Sequence, residues 1–214
     1  MPHFRPTVPQ KHPKPHRIPG PSFPWPVIAR GAAVYQLEVK QGLVRFVFPP
    51  SSGWRVTVHV HPMELGQHAS KRHRAAAALT ELKRLGANPG PHERFGRVGL
   101  VAVHDDHGVR LVEVAGESGR QMEQALYSGL GQLLLTMKLW TDTVRYGLAV
   151  PDTRAWASQL RKIPPELTGR LNLELYLVSP TGVTTLAPGT HWGGGGGHPL
   201  PAPSVVPAPD VRSP

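Results

Sequence analysis

The spacing of apolar positions changes several times along the chain. In AVYQLEVKQGLVRFVF, residues 33–48, Tyr35, Leu37 and Val39 alternate with Gln36, Glu38 and Lys40, and Val44, Phe46 and Phe48 continue beyond Gln41-Gly42. A period of two predicts strands, and a glycine that tolerates positive φ predicts a hairpin turn between them. Trp54, Val56, Val58 and Val60 alternate again with Arg55, Thr57, His59 and His61. Residues 27–62 therefore read as a small antiparallel β-meander. From Met63 to Leu85 the period lengthens. Ala75, Ala78, Leu79, Leu82 and Leu85 form a helical stripe, Lys71, Arg72, Arg74, Lys83 and Arg84 lie off it, and Gly86 closes it.

The segment FGRVGLVAVHDDHGVRLVEVAGE, residues 95–117, reads as two strands joined by a turn at Asp105-Asp106-His107-Gly108. Ser118 and Gln121 form a candidate capping box for a helix reaching Leu139, with Met122, Leu126, Leu130, Leu133, Leu134 and Met137 directed inward. Val144 to Val150 is a short apolar run of the kind found in buried parallel strands. A short helix follows, capped by Asp152 or Thr153, carrying Trp156, Leu160 and Ile163 and ended by Pro164-Pro165. Leu171 to Val178 is a further strand that turns at Thr181-Gly182 into a last one. After the meander the order is α-β-β-α-β-α-β. That order predicts an α/β mixed sheet flanked by helices.

Composition changes the picture at the two ends. Residues 1–26 are dense in proline and carry only basic charge, and residues 187–214 hold the run Gly193 to Gly197 followed by PLPAPSVVPAPD. Neither segment has the apolar surface to offset chain entropy, so a disordered basic arm and a disordered tail are expected around a core at 63–186. A net charge of +10 suits a polyanionic partner. The absence of cysteine excludes a disulfide framework, a thiolate metal site and a cysteine nucleophile. No apolar run approaches the length of a membrane helix and no signal-peptide pattern opens the chain, so the expectation is a cytoplasmic protein with no membrane partner.

Candidate chemistry is scattered. His59 and His61 share one face of a strand, and His104 and His107 flank the acidic turn. Either pair suits Zn²⁺ if a third ligand joins it, or is simply solvated. HASKRHR, residues 68–74, is the densest basic cluster and suits either a phosphate backbone or solvent.

Three segments bear a resemblance. They are Arg97-Val98-Gly99-Leu100-Val101-Ala102, Leu111-Val112-Glu113-Val114-Ala115-Gly116, and Gly131-Gln132-Leu133-Leu134, with Glu64 upstream at the start of a helix. In type, order and spacing they resemble the PD-(D/E)XK nuclease superfamily, over residues 63–183. The resemblance implies a restriction-endonuclease-like fold. It also implies a Mg²⁺ or Mn²⁺ site, in which the ion activates a water and a lysine stabilises the developing charge. The family's aspartate falls on Gly99 and its lysine on Ala115. Thr136 stands where some relatives carry a tyrosine. The remnant candidates are Glu64, Glu113, Glu117 and Gln132, with Glu113 a weak metal ligand. Asp105 or Asp106 would have to act from ~17 Å along the strand.

The expected function is therefore that of a catalytically impaired, nucleic-acid-binding accessory protein, with DNA favoured over RNA. Lys71, Arg72, Arg74, Arg97, Arg120 and Lys138 are its candidate phosphate contacts. The meander would offer a surface for a homodimer or a protein partner. The alternatives are a metal-dependent nuclease with a rearranged site built from Glu64, Glu113 and Glu117, and an interaction module with proline-rich docking tails.

Overall fold

The computed structural model describes residues 34–66, 68–116, 122–139 and 141–191. Among these, seven strands form one mixed sheet: β1 Arg55–Val58, β2 Asn88–Pro89, β3 Leu100–His104, β4 Gly108–Val114, β5 Val144–Pro151, β6 Leu173–Ser179 and β7 Gly182–Leu186. Their order across the sheet is β2-β1-β3-β4-β5-β6-β7. β4, β5 and β6 run parallel, β3 and β7 are antiparallel to their inner neighbours, and β2 is parallel to β1. The central strands β5 and β6 are apolar almost throughout, as strands covered on both faces must be.

Five α-helices among the described residues accompany the sheet: α1 Gln36–Phe46, α2 Ala69–Arg84, α3 Met122–Thr136, α4 Arg154–Leu160 and α5 Pro165–Arg170. One core gathers Leu37, Leu43 and Val44 of α1 and Ala75, Ala78 and Leu82 of α2 with Val56, Val58, Leu100, Val112, Tyr176 and Val178. The other gathers Leu126 and Leu133 of α3 and Trp156 and Leu160 of α4 with Val101, Leu111, Tyr146, Leu148 and Leu175. The mixed sheet flanked by helices is the predicted arrangement. No helix among the described residues is long and apolar enough to cross a membrane.

The β-meander is not formed. Residues 36–46 are helix α1, and β1 pairs with β3 inside the main sheet, so residues 34–62, the described part of the expected meander at 27–62, are not a unit apart from the core at 63–186. The partner surface assigned to the meander falls with it. The physical reason lies at Gly42, which sequence pattern makes a turn residue. A Cβ on Gly42 would lie 2.3 Å from Val178 Cγ1, so glycine is there to let α1 lie against β6. Leu37, Val39, Leu43 and Val44 are all buried because α1 is covered by both the sheet and α2. A helix buried on so much of its surface loses its 3.6-residue signature.

The predicted helix at 63–85 divides. Glu64 sits on a separate 3-10 turn, Pro62–Leu65, which ends at Gly66 with φ 79°, and α2 starts only at Ala69. The acidic hairpin turn forms as predicted, with Gly108 at φ 72°. Thr153 caps α4 through its Oγ1, 3.3 Å from the Trp156 N–H. Pro165 opens α5, a helix the pattern did not suggest. Leu134, expected inward, is exposed, as are Tyr127 and Leu135. The Ser118–Gln121 cap, the basic arm, and the tail beyond residue 191 lie outside the described residues.

Candidate functional site

The sheet opens at one point. The β3–β4 ladder ends at Leu100↔Val112, while β4 keeps its pairing with β5 as far as Val114↔Ala149. β3 stays with the β1 side, where the His59 N–H donates to the Gly99 carbonyl at 3.2 Å. Gly99 and Glu113 therefore stand on the two sides of a fork. A cleft of about 710 Å³ fills it, lined among others by Lys40, His61, Glu64, Lys71, Arg97 and Gln132.

α1 delivers the charge at the bottom of this cleft. Lys40 is 2% exposed, and its Nζ donates to both carboxylate oxygens of Glu64 at 2.8 Å and to the His59 carbonyl at 2.7 Å. An ammonium has three protons, and here each has an acceptor. Burial pulls the Lys40 pKa below its ordinary value, and the Glu64 carboxylate opposes that fall.

Glu113 is 7% exposed and has no such partner. Burial pushes its carboxyl up to about 7, against a hydrogen bond from the Gly99 backbone and the attraction of Lys40, with Glu64 pushing the same way as burial. His59 Nδ1 is also buried and has no hydrogen-bond partner among the described residues. Burial and the nearby Lys40 lower the pKa of that ring, so it is neutral at neutral pH.

Position 99 is tight as well as uncharged. A Cβ there would lie 3.0 Å from the Val112 carbonyl oxygen and 3.1 Å from Glu113 Oε2. Ala115 is buried in the core under α3, near Gly129, and its N–H is bonded to the Ala149 carbonyl at 2.9 Å. The cleft's buried ammonium comes from another element, as Lys40 of α1.

The cleft does not fit Mg²⁺ or Mn²⁺. Among the described residues its carboxylates are Glu64, whose two oxygens are both held by Lys40, and Glu113, whose pKa burial raises to about 7. No group of three or more His, Asp or Glu side chains is arranged to hold a metal among the described residues. A divalent ion needs anchored anionic oxygen ligands, and here an ammonium already occupies Glu64. Among the described residues, neither Glu113 nor either histidine pair has the further ligands that a metal site needs. His59 and His61 are 6.4 Å apart, centroid to centroid, in edge contact, while His104 and His107 pack on Trp54 and each other.

Of the residues singled out in the sequence, Glu64, Gly99, Glu113, Gln132, Lys71 and Arg97 meet in this one cleft. Lys138 lines a neighbouring hollow. Arg74 does not belong to the site. It donates to Glu38 at 2.8 and 2.6 Å and lies 4.5 Å over the Tyr35 ring, tying α2 to α1. Arg72 is exposed on α2 and lines none of the cleft. Asp105 pairs with Arg55 at 2.8 Å at the far end of the hairpin. Glu117 and Arg120 lie outside the described residues.

Lys40 is the cleft residue that sequence reasoning missed. Its signal is present, since it stands three residues after Leu37 and four before Val44, but that spacing has meaning only once residues 36–46 are a helix. In comparisons with known proteins, no family model, no curated protein and no solved structure matches this chain.

Proposed function

We propose that this chain is a nucleic-acid-binding protein built on a PD-(D/E)XK-like scaffold, a pseudo-nuclease acting as an accessory factor. One observation carries the reading: in the fork between β3 and β4, a fixed ammonium stands on Glu64 beside Glu113, opposite a glycine. A metal-dependent nuclease uses its divalent ion to polarise a phosphate and to activate water. An ammonium neutralises charge but carries no water to attack. The cations facing the same cleft, Lys71 and Arg97, suit phosphate contacts, which give affinity without reading sequence. The net charge of +10 adds a long-range attraction for a polyanion. The strand fork and the order of elements around it support the restriction-endonuclease-like reading of the fold.

The test is binding and cleavage measured together on labelled single- and double-stranded DNA and RNA, at two salt concentrations, with EDTA, Mg²⁺ or Mn²⁺. The expected result is salt-sensitive binding that persists in EDTA, and no cleavage with either metal.

One feature favours a second reading, a metal-dependent nuclease with a rearranged site. Lys40 brings an ammonium to the cleft that holds Glu113, the role a motif lysine would fill from β4. Cleavage that needs Mn²⁺ and disappears in Glu113→Gln would establish it. The docking role of the proline-rich ends falls outside the described residues.

A further inference from the structure

Beside the charged cleft lies a second hollow of about 260 Å³ that shares Phe95 and Leu135 with it. Its walls are Phe95, Leu111, Leu135 and Leu139, and its two charged residues are Arg94 and Lys138, both exposed cations. Leu135 is 78% exposed on the last turn of α3, next to exposed Leu134. The hollow falls just below the roughly 300–1,000 Å³ of ordinary small-molecule sites, which suits one flat ring system rather than a larger ligand.

We infer that this hollow receives one unpaired nucleobase of a bound strand, with Arg94 and Lys138 on the flanking phosphates and the strand continuing past Arg97 and Lys71 in the cleft. Three features point to this occupant. The walls are apolar and include the Phe95 ring, over which the Arg94 guanidinium lies 5.3 Å from the centroid, and aromatic and arginine groups together stack bases. The charges at the hollow are both positive, as a phosphate-linked ligand requires and a simple apolar ligand does not. The hollow is continuous with a cleft whose lining adds Lys71 and Arg97, so one polyanionic chain can span both. A base inside a duplex cannot reach an apolar pocket without leaving its stack, and that costs a few kcal/mol. The substrate class is therefore single-stranded or locally unpaired nucleic acid.

This inference rests on the nucleic-acid reading proposed above, and its test separates the two. Binding of a short single-stranded oligonucleotide is measured against a matched duplex and against oligonucleotides carrying one abasic site at each position in turn. Each is measured with the wild type, Phe95→Ala and Leu135→Ser. Leu135 is exposed, so its variant keeps the fold even if Phe95→Ala disturbs it, and circular dichroism checks both.

The expected result is a preference for the single strand and one abasic position that weakens binding about 5- to 150-fold, the span of one base-stacking contact. The two variants lose that same sensitivity. Salt-sensitive binding that ignores strandedness, the abasic scan and both variants overturns the pocket but leaves the nucleic-acid reading standing. No binding to any nucleic acid at low salt overturns both.

Discussion

Lys40 and Glu64 sit 24 residues apart, on a helix and on a 3-10 turn, yet the Lys40 ammonium lies 2.8 Å from each oxygen of the Glu64 carboxylate and almost wholly out of water. The pair fixes α1 to the entrance of α2 and sets the charge of the cleft. Neither partner can be removed quietly, because the other is left as a buried charge.

Lys40→Met is accordingly expected to destabilise the fold by about 3–5 kcal/mol. Lys40→Met combined with Glu64→Leu should recover most of that loss, since a buried ion pair replaced by apolar groups of similar size is often neutral. Urea denaturation of the wild type, both single variants and the double variant gives the coupling energy directly. Additive single effects would show that the pair is not a unit.

Glu113 makes stability depend on pH, in the direction opposite to that of a salt-bridged carboxylate. Its pKa rises from 4.5 to about 7 on folding, so the folded state holds a proton that the unfolded state has released. Below about pH 4.5 its stabilising contribution is fully present, and it is lost as pH rises through about 7. The loss amounts to about 3 kcal/mol across that window. The groups around it, Lys40, Glu64 and His59, remain in the variant Glu113→Gln. That variant should show a flatter profile between pH 5 and 8 in denaturation curves, and should exceed the wild type in stability at pH 8.

An aspartate placed at position 99 should create metal dependence. In Gly99→Asp a new carboxylate is forced against Glu113, whose Oε2 lies 3.1 Å from the position of the added Cβ. The variant is expected to be less stable than the wild type in EDTA and to regain stability with Mg²⁺ or Mn²⁺, by roughly 2.7 kcal/mol at a hundredfold excess over Kd. The melting temperature of the wild type should not respond to either ion. An equal response of both proteins would mean that the wild-type cleft already binds the ion, with Lys40 displaced from Glu64.

The basic residues divide by where they sit. Arg97→Ala and Lys71→Ala should weaken nucleic-acid binding and each lower the slope of log K against log salt by about 1. Arg74→Ala should leave that slope unchanged and lower stability instead, because Arg74 is bonded to Glu38 at 2.8 and 2.6 Å. Filter binding over a salt series, paired with thermal melts, separates the two groups.

Two glycines in helices should respond oppositely to alanine. Gly42→Ala gains helix propensity but drives a methyl to within 2.3 Å of Val178 Cγ1, and a net loss of about 1–3 kcal/mol is expected. Gly131→Ala in α3 meets nothing within 4 Å and should stabilise by about 0.5–1 kcal/mol. Denaturant midpoints for the two variants decide the matter.

The hairpin of β3 and β4 and the strands β5 and β6 are legible in the sequence because their signals are local: apolar runs, an Asp-Asp-His-Gly turn, and prolines at the ends. α1 is not, because Leu37 and Val39 are two apart and both buried, which imitates a strand, and because a glycine required by packing imitates a turn. That one misreading hides the centre of the site. With residues 36–46 read as strand, Lys40 becomes a solvent-facing residue and Glu38 cannot be seen as the partner of Arg74, so Arg74 reads as a phosphate contact. Glu113, Gly99 and Gln132 are found together through motif spacing, which does not depend on α1. The apolar hollow cannot be read at all, since Phe95, Leu111 and Leu139 meet only through tertiary packing.

The two edges of the sheet are unlike. β2 consists of Asn88 and Pro89, and a proline has no N–H to offer a neighbouring strand. β7 is five residues long, contains two threonines and a valine, and pairs only on its β6 side among the described residues. Among the described residues, a strand arriving from another molecule would therefore be turned away at β2 and find a template at β7. Self-association of the folded chain through strand pairing would be one-ended, giving a β7-to-β7 pair rather than a fibre that grows from both sides.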